Sequence, residues 1–477
     1  MLRQSKLKWI IAIPVVTVFL VYGVLAGFLW WSEHSLAGDI SEQPSVYVPS
    51  KEPHQITLLD TGVDSLAARL HLIDHAKRNI ELEFFIYELD LASRLITQHL
   101  IEAAKRGVKV RLLVDFAGPV FRFQPQYAKR LAQFGIETRY YNTVDTIRII
   151  SVQHRSHRKL LIVDDQFVIS GGRNIGNDYF NLSTHYSFLD SDILIEGPIA
   201  PAVRASFDTY WSSKLSTKSK QIEADGDLTT LESFFTKSSE MVEIETKLGT
   251  LTSTQTRVAH KHTCNNLTFV TDFPGVLMNN RQVYYRLKNI LEQAKQTVVA
   301  ESPYLILRRD GIKIFESLRD RGVKTTLLTN GLNATDAYYT VSATANVTTE
   351  LEKSQAQIFL YNGSTPKELV HLVSPTPQRW GLHAKRAVID GKHTLIGTYN
   401  IDPRSANLNS ELMFVCRDSS TLAQAVLDNM ELRRKNAHLL IDSSISPLSA
   451  LIRNAPTTEI IKFTLASPLA ALFAFLL

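Results

Sequence analysis

The sequence is poor in cysteine: Cys264 and Cys416 are the only two among 477 residues. That excludes a disulfide-rich scaffold and any CxxC zinc site. Cys416 ends the apolar run Leu412-Met413-Phe414-Val415-Cys416, so a buried free thiol is expected there, and neither cysteine is assigned a function. Acidic residues are missing from the first 31 positions, which carry only Arg3, Lys6 and Lys8 as charges. These three supply most of the formal net charge of +5, so the remaining body is nearly balanced. A balanced body lacks the basic stripe with which proteins release counterions from phosphates, which argues against nucleic acid as a partner. Despite 14 histidines, no H-E-x-x-H or related grouping of histidine with carboxylate occurs, so neither a metal nor a cofactor is expected.

What is present is ordinary globular material, 44% apolar and 21% charged with a mean hydropathy of -0.05. The length exceeds what one core usually serves, which points to two domains or two similar lobes. From Trp9 to Trp31 the chain runs 23 residues without a charge, enough for a helix to cross a bilayer. Basic residues precede the run and Glu33 and Asp39 follow it. The positive-inside rule then sets the N-terminus in the cytoplasm and the rest outside, with Trp9 and Trp30-Trp31 at the two interfaces. A cleaved signal peptide is the competing reading, since Ser35-Leu36-Ala37 has the small-x-small pattern, but its apolar core would be shorter.

A repeat organises the remainder. Ala76-Lys77 leads into the strand-like run 80–87, a helical pattern from Leu91 to Arg106, Gly107 and the apolar run 108–115. Ala294-Lys295 leads into 298–304, a helical pattern from Ile312 to Arg321, Gly322 and the run 323–330. Each is a β-α-β unit whose helix stops at a glycine. The expected fold is therefore α/β: two similar lobes with mixed, mostly parallel sheets flanked by helices, plus an N-terminal transmembrane helix. The expected divisions are a basic N-terminus (1–8), an anchor (9–31), a linker (32–55), a first lobe (56–235), a second linker (236–262), a second lobe (263–445) and an apolar tail (446–477). The tail, at 463–477, is too short to span and is expected to be core-packed or interfacial.

The chemistry lies in a second repeat. His157, Lys159, Asp164 and Asn174 recur as His383, Lys385, Asp390 and Asn400, in the pattern H-x-K-x4-D-x6-G-x-x-N. On a strand the histidine and lysine of H-x-K face the same way, joining a titratable base to a fixed cation. A phosphodiester needs its charge neutralised, a nucleophile in line and an acid for the leaving oxygen; lysine, asparagine and imidazole can supply these. Asp164 and Asp390 end apolar strands just before turns, which suggests a structural role, either holding the turn or pairing with a neighbouring base. Arg158 and Arg386 alternate away from H-x-K and read as surface charge.

The two motifs resemble the HKD pattern of the phospholipase D superfamily, over roughly residues 56 to 440. The segments 171–180, 195–198 and 400–405, with Asn409-Ser410-Glu411, are similar to the bacterial cardiolipin synthase branch that uses phosphatidylethanolamine. The resemblance implies a metal-independent exchange in which one histidine becomes phosphorylated and the other protonates the departing alcohol. It implies that an acid shortly after the motif asparagine orients each histidine. Glu411 matches that position in the second copy, and Asp190, with Asp192 as alternative, in the first. Membrane phospholipids, phosphatidylglycerol and phosphatidylethanolamine, would be the substrates and the bilayer a partner. Location in a bacterial inner membrane with the catalytic part in the periplasm is expected. Hydrolysis to phosphatidic acid, or a nuclease of the same superfamily, are the alternatives.

Overall fold

The computed structural model describes residues 20–25, 27, 47–117, 125–143, 153–222, 232–254, 260–275, 281–365, 369–376 and 379–477. Of the expected span 9–31, only 20–25 and 27 fall among them, and they are helical. The rest of that span lies outside the described residues, among which no helix is long and apolar enough to cross a membrane. Residues 1–42 with 277–279 form one unit, and the remainder, which contains both lobes, forms another.

Both β-α-β units read from the sequence are present. In the first lobe, strand Asn79–Phe84, helix Leu91–Lys105 and strand Lys109–Asp115 follow in order, the strands paired parallel. Asp90 caps the helix by accepting the Ser93 N–H, while the Ser93 hydroxyl accepts the Asp90 N–H. The helix ends before Gly107, whose φ of 89° is open to glycine and strained for other residues. The second lobe repeats this with Thr297–Glu301, Arg309–Asp320 and Lys324–Asn330.

Each lobe centres on a nine-stranded sheet. In the first the spatial order is Ser216–Lys218, Glu137–Tyr141, Lys109–Asp115, Asn79–Phe84, Leu160–Val163, Phe167–Gly171, Asp192–Glu196, His54–Leu59 and Lys261–Cys264. Only the two pairings among Asn79–Phe84, Lys109–Asp115 and Glu137–Tyr141 are parallel there. The second sheet is built the same way, so the expectation of mostly parallel sheets is corrected to mixed sheets that are mostly antiparallel. After its crossovers the chain returns through tight hairpins, which require antiparallel neighbours. Strands buried on both faces carry the same apolar signature in either direction.

One strand lies in the first expected linker and another straddles the expected boundary at 262/263, and they exchange lobes. Tyr47–Ser50 pairs with Leu267–Thr271 in the second sheet, and Lys261–Cys264 pairs with His54–Leu59 in the first. Ser239–Thr254, within the second expected linker, is helix. The exchange brings Cys264 beside Cys416, and the two form a disulfide that joins the edge of the first sheet to the second. The free thiol expected at Cys416 is thereby corrected: partners so far apart in the chain meet only through strand register. One core cluster is shared by the lobes, with Ile56, Leu160, Ile162 and Val168 from the first and Val388, Ile396 and Phe414 from the second. The apolar tail is the helix Thr457–Phe473, which buries Phe463 and Ala470.

Candidate active site

Each H-x-K segment runs into a strand of its own lobe but is fastened to the other lobe. The His157 N–H donates to the Ser410 carbonyl at 2.9 Å, and the Ser410 N–H donates back to Arg155 at 2.8 Å. The His383 N–H donates to the Leu189 carbonyl at 2.8 Å, continuing the parallel ribbon of Arg379–Leu382 and Tyr186–Leu189. The residue after each of those carbonyls is an acid. Glu411 therefore meets His157, with Nδ1 3.0 Å from both carboxylate oxygens, and Asp190 meets His383, with Nδ1 2.6 Å from Oδ2. Both expected acids reach a histidine, but crosswise between the lobes. Asp192, the alternative, instead pairs with Arg69 at 3.0 Å and Arg173 at 3.3 Å.

The structure explains the glycines of the motifs. A Cβ on Gly171 or Gly397 would lie 2.3 Å from the Ser191 or Leu412 carbonyl of the adjoining strand, and one on Gly172 would lie 2.0 Å from Asp190 Oδ1. The position equivalent to Gly172 is Thr398, whose hydroxyl donates to Glu411. Ser405 donates to the other Glu411 oxygen at 2.8 Å. One copy thus makes room for its carboxylate and the other holds it with hydroxyls.

The lysines lie over their own segments. Lys159 Nζ donates to the His157 carbonyl at 2.7 Å, and Lys385 Nζ donates to the His383 carbonyl and lies 3.1 Å from His383 Nε2. Asn174 donates to the Tyr179 hydroxyl at 2.9 Å, while the Asn400 side-chain oxygen, almost wholly buried, has no hydrogen-bond partner among the described residues. Phe85 packs edge-on to His157, and Tyr179 and Phe188 pack around His383, with ring centroids 4.7–5.2 Å apart. These rings exclude water from the imidazoles while leaving each slightly exposed.

Charges of the two halves act on one another, which marks a single pocket. Burial, reinforced by Lys385, lowers Lys159 to about 7, and burial lowers Lys385 to about 8 against the pull of Asp190 and Glu411. Burial, then Lys159, Lys385 and Arg404, pushes His157 well below its ordinary value. Burial and Lys385 bring His383 to about 4, with Asp190 opposing. Burial raises Glu411 to about 7 against Lys159, Thr398 and Ser405. Burial alone would raise Asp190 too, but His383, Lys385 and Arg173 outweigh it and hold the carboxyl below the ordinary range. The half-sites are therefore alike in plan and unequal in charge. The site is buried, and its two lysines can neutralise an anionic phosphodiester.

Asp164 and Asp390 stand away from this chemistry. Asp164 accepts the N–H groups of Lys77, Arg78 and Asn79, and Asp390 those of Lys295, Gln296 and Thr297, so each ties its turn to the start of the neighbouring strand. Arg158 and Arg386 require correction: both are buried rather than surface charges. Arg158 lies 3.2 Å from Glu83 and 3.9 Å from the Tyr210 ring centroid; Arg386 lies 2.8 Å from Asp60 and 2.7 Å from Glu301. The reverse face of each motif strand meets the core shared by the lobes, so alternation there does not mean solvent. Sequence reasoning missed Thr398, Ser405, Tyr179 and Arg433, which donates to the Asp190 carbonyl at 2.9 Å. Tyr179 and Ser405 lie in the family-like segments 171–180 and 400–405, and Thr398 stands where the first copy has Gly172; Arg433 left no such trace.

Comparison with known proteins agrees with this geometry. A family model described as "Cardiolipin synthase, PLD-like domain" matches residues 70–211 and 287–432, one stretch in each lobe. An uncharacterised protein of Helicobacter pylori is 29% identical over 414 residues, 80% of this chain and 80% of its own. Cardiolipin synthase C of Escherichia coli is 27% identical over 417 residues, 79% of this chain and 84% of its own. A crystal structure of phosphatidylserine synthase from Haemophilus influenzae has the same fold, with a TM-score of 0.62 at 13% identity, covering 94% of this chain and 100% of that one. With its two motif copies closing one pocket and the family description matched once in each lobe, the chain belongs to the cardiolipin synthase, PLD-like domain family.

Proposed function

We propose that this enzyme transfers a phosphatidyl group between membrane phospholipids and makes cardiolipin, with phosphatidylglycerol as acceptor and phosphatidylglycerol or phosphatidylethanolamine as donor. The observation that carries the reading is the crossed pair His157–Glu411 and His383–Asp190 with both lysines between them. His157 attacks phosphorus through Nε2, forming a P–N bond as the P–O bond to the donor headgroup breaks. His383, protonated at Nε2, gives its proton to the departing oxygen. The acceptor hydroxyl then loses its proton to His383 and attacks phosphorus, and the P–N bond breaks to release His157.

The charge asymmetry supports this division. Asp190 is the more firmly ionised acid and lies closer to its histidine, so His383 is the better holder of a proton. Burial and then Lys385 hold His383 low, and an entering phosphate offsets Lys385. A site on the extracytoplasmic side of a bacterial inner membrane is supported by the disulfide Cys264–Cys416, since such bonds persist in oxidising compartments.

The test is lipid analysis of cells lacking cardiolipin that express this chain, its His157→Ala and its His383→Ala variants, with each donor labelled separately. Cardiolipin from the intact chain alone supports the reading. Phosphatidic acid without cardiolipin would replace transfer by hydrolysis, and no lipid change from a stable protein would overturn it.

A further inference from the structure

The helix Thr457–Phe473 buries one side, and the other has no partner among the described residues. Its buried side packs against the helix Tyr338–Ala345, where the Ser342 hydroxyl donates to the Phe463 carbonyl at 3.1 Å. On the opposite side, Ile461, Leu465, Leu469 and Leu472 are 54–72% exposed. Their spacing of four, four and three residues sets them on one face. After Lys462 no charged residue follows to Leu477. The two hydroxyls in that stretch are satisfied within the helix: Thr464 donates to the Ile460 carbonyl and Ser467 to that of Phe463. A surface so composed has nothing to offer water.

Its place in the fold gives the stripe a meaning. The Arg404 N–H donates to the Leu477 main-chain oxygen at 2.9 Å, and the Arg404 guanidinium donates to the Leu476 carbonyl at 3.0 Å. Arg404 is one of the cations that lower His157. The partner helix Tyr338–Ala345 begins just after Asp336, which accepts the Tyr304 hydroxyl at 3.0 Å and acts on His383. One apolar helix therefore rests on segments leading to both half-sites.

We propose that the exposed face of Thr457–Phe473 lies in the interfacial region of the bilayer and seats the pocket where phospholipid substrates can enter it. The proposal rests on the reading above that the substrates are lipids. A contiguous exposed apolar face marks a surface that another apolar phase covers, and a bilayer offers one at the boundary of headgroups and acyl chains. The bilayer is also the apolar phase within reach. Only residues 32–46 separate the expected anchor from strand Tyr47–Ser50, and 15 residues extend at most about 50 Å.

The test uses the full chain in vesicles of phosphatidylethanolamine and phosphatidylglycerol. An environment-sensitive dye is attached to Leu465→Cys or Leu469→Cys, with Gln424→Cys, on an exposed polar helix position, as control. Quenching by spin labels near the headgroup end of the acyl chains at positions 465 and 469, and not at 424, is expected. A dye open to aqueous quencher would overturn the proposal. So would a dye shielded from both quenchers, as burial by residues 9–31 would produce, or a 469–469 cross-link showing that a second copy covers the face. The double variant Leu465→Glu, Leu469→Glu should turn over vesicle-borne lipid about tenfold or more slowly while retaining its rate on a water-soluble, short-chain phospholipid. Equal rates of variant and parent on vesicles would also overturn the proposal. Failure of the unmodified chain on every lipid would instead overturn the functional reading, because the quenching measurement needs no turnover.

Discussion

Replacing Asp190 by asparagine tests the crossed pairing most directly. The carboxylate is fully buried, accepts the Ser191 N–H at 2.7 Å and lies 2.6 Å from His383 Nδ1. An amide of the same shape keeps the packing and removes the charge. A hydrogen bond to a charged group contributes about 1.5–3 kcal/mol, or about 10- to 150-fold in a step that forms imidazolium. If the asparagine also donates to Nδ1 and forces the wrong tautomer, the loss rises toward about 10⁴-fold. Glu411→Gln should be milder at low pH. Burial holds Glu411 at about 7, so the group it loses is already mostly neutral at pH 6, and the defect should grow between pH 6 and 8. Initial rates of transfer on labelled phosphatidylglycerol in mixed micelles, measured at both pH values alongside thermal unfolding, decide the matter. An Asp190→Asn enzyme of normal stability and normal rate, or a Glu411→Gln enzyme more damaged than it at pH 6, would refute the assignment.

Four further outcomes are expected. Asp164→Ala and Asp390→Ala should each lower stability by about 1–3 kcal/mol in urea titration, with the activity of the folded fraction retained, since each removes turn-holding hydrogen bonds at a left-handed position and touches no reacting group. Because burial raises these carboxyls less than their backbone donors lower them, that contribution is present above the unfolded carboxylate pKa and disappears as the pH falls through the depressed folded value. At pH 8, binding of inorganic phosphate should take up protons. Lys159 and Lys385, lowered by burial to about 7 and about 8, regain protons beside an anion, and calorimetry in buffers of different ionisation enthalpy should show the uptake shrink in Lys159→Met. Gly172→Ala should abolish turnover, because its methyl would displace Asp190; a near-normal rate would contradict the packing. Exchanging both Cys264 and Cys416 for alanine should reduce stability by about 2–5 kcal/mol, read as a lower urea midpoint, and labelling of either thiol in the unreduced native protein would contradict the bond.

The two acids came only with the family resemblance, Asp190 with Asp192 as its alternative, whereas the duplicated β-α-β plan and the four motif positions in each half were legible in the sequence, because these depend on spacing within short stretches and on what phosphodiester chemistry needs. The structural role of Asp164 and Asp390 was legible for the same reason, from their place at strand ends. Tertiary structure alone decided which acid serves which histidine: Glu411 and Asp190 cross between lobes through the contacts of Ser410 and Leu189, and motif spacing carries no record of that exchange. It also decided the direction of the strands, the burial of Arg158 and Arg386 and the Cys264–Cys416 bond. Each of these depends on what another part of the chain brings to the far side of a strand, and local periodicity records only that a face is covered, not what covers it.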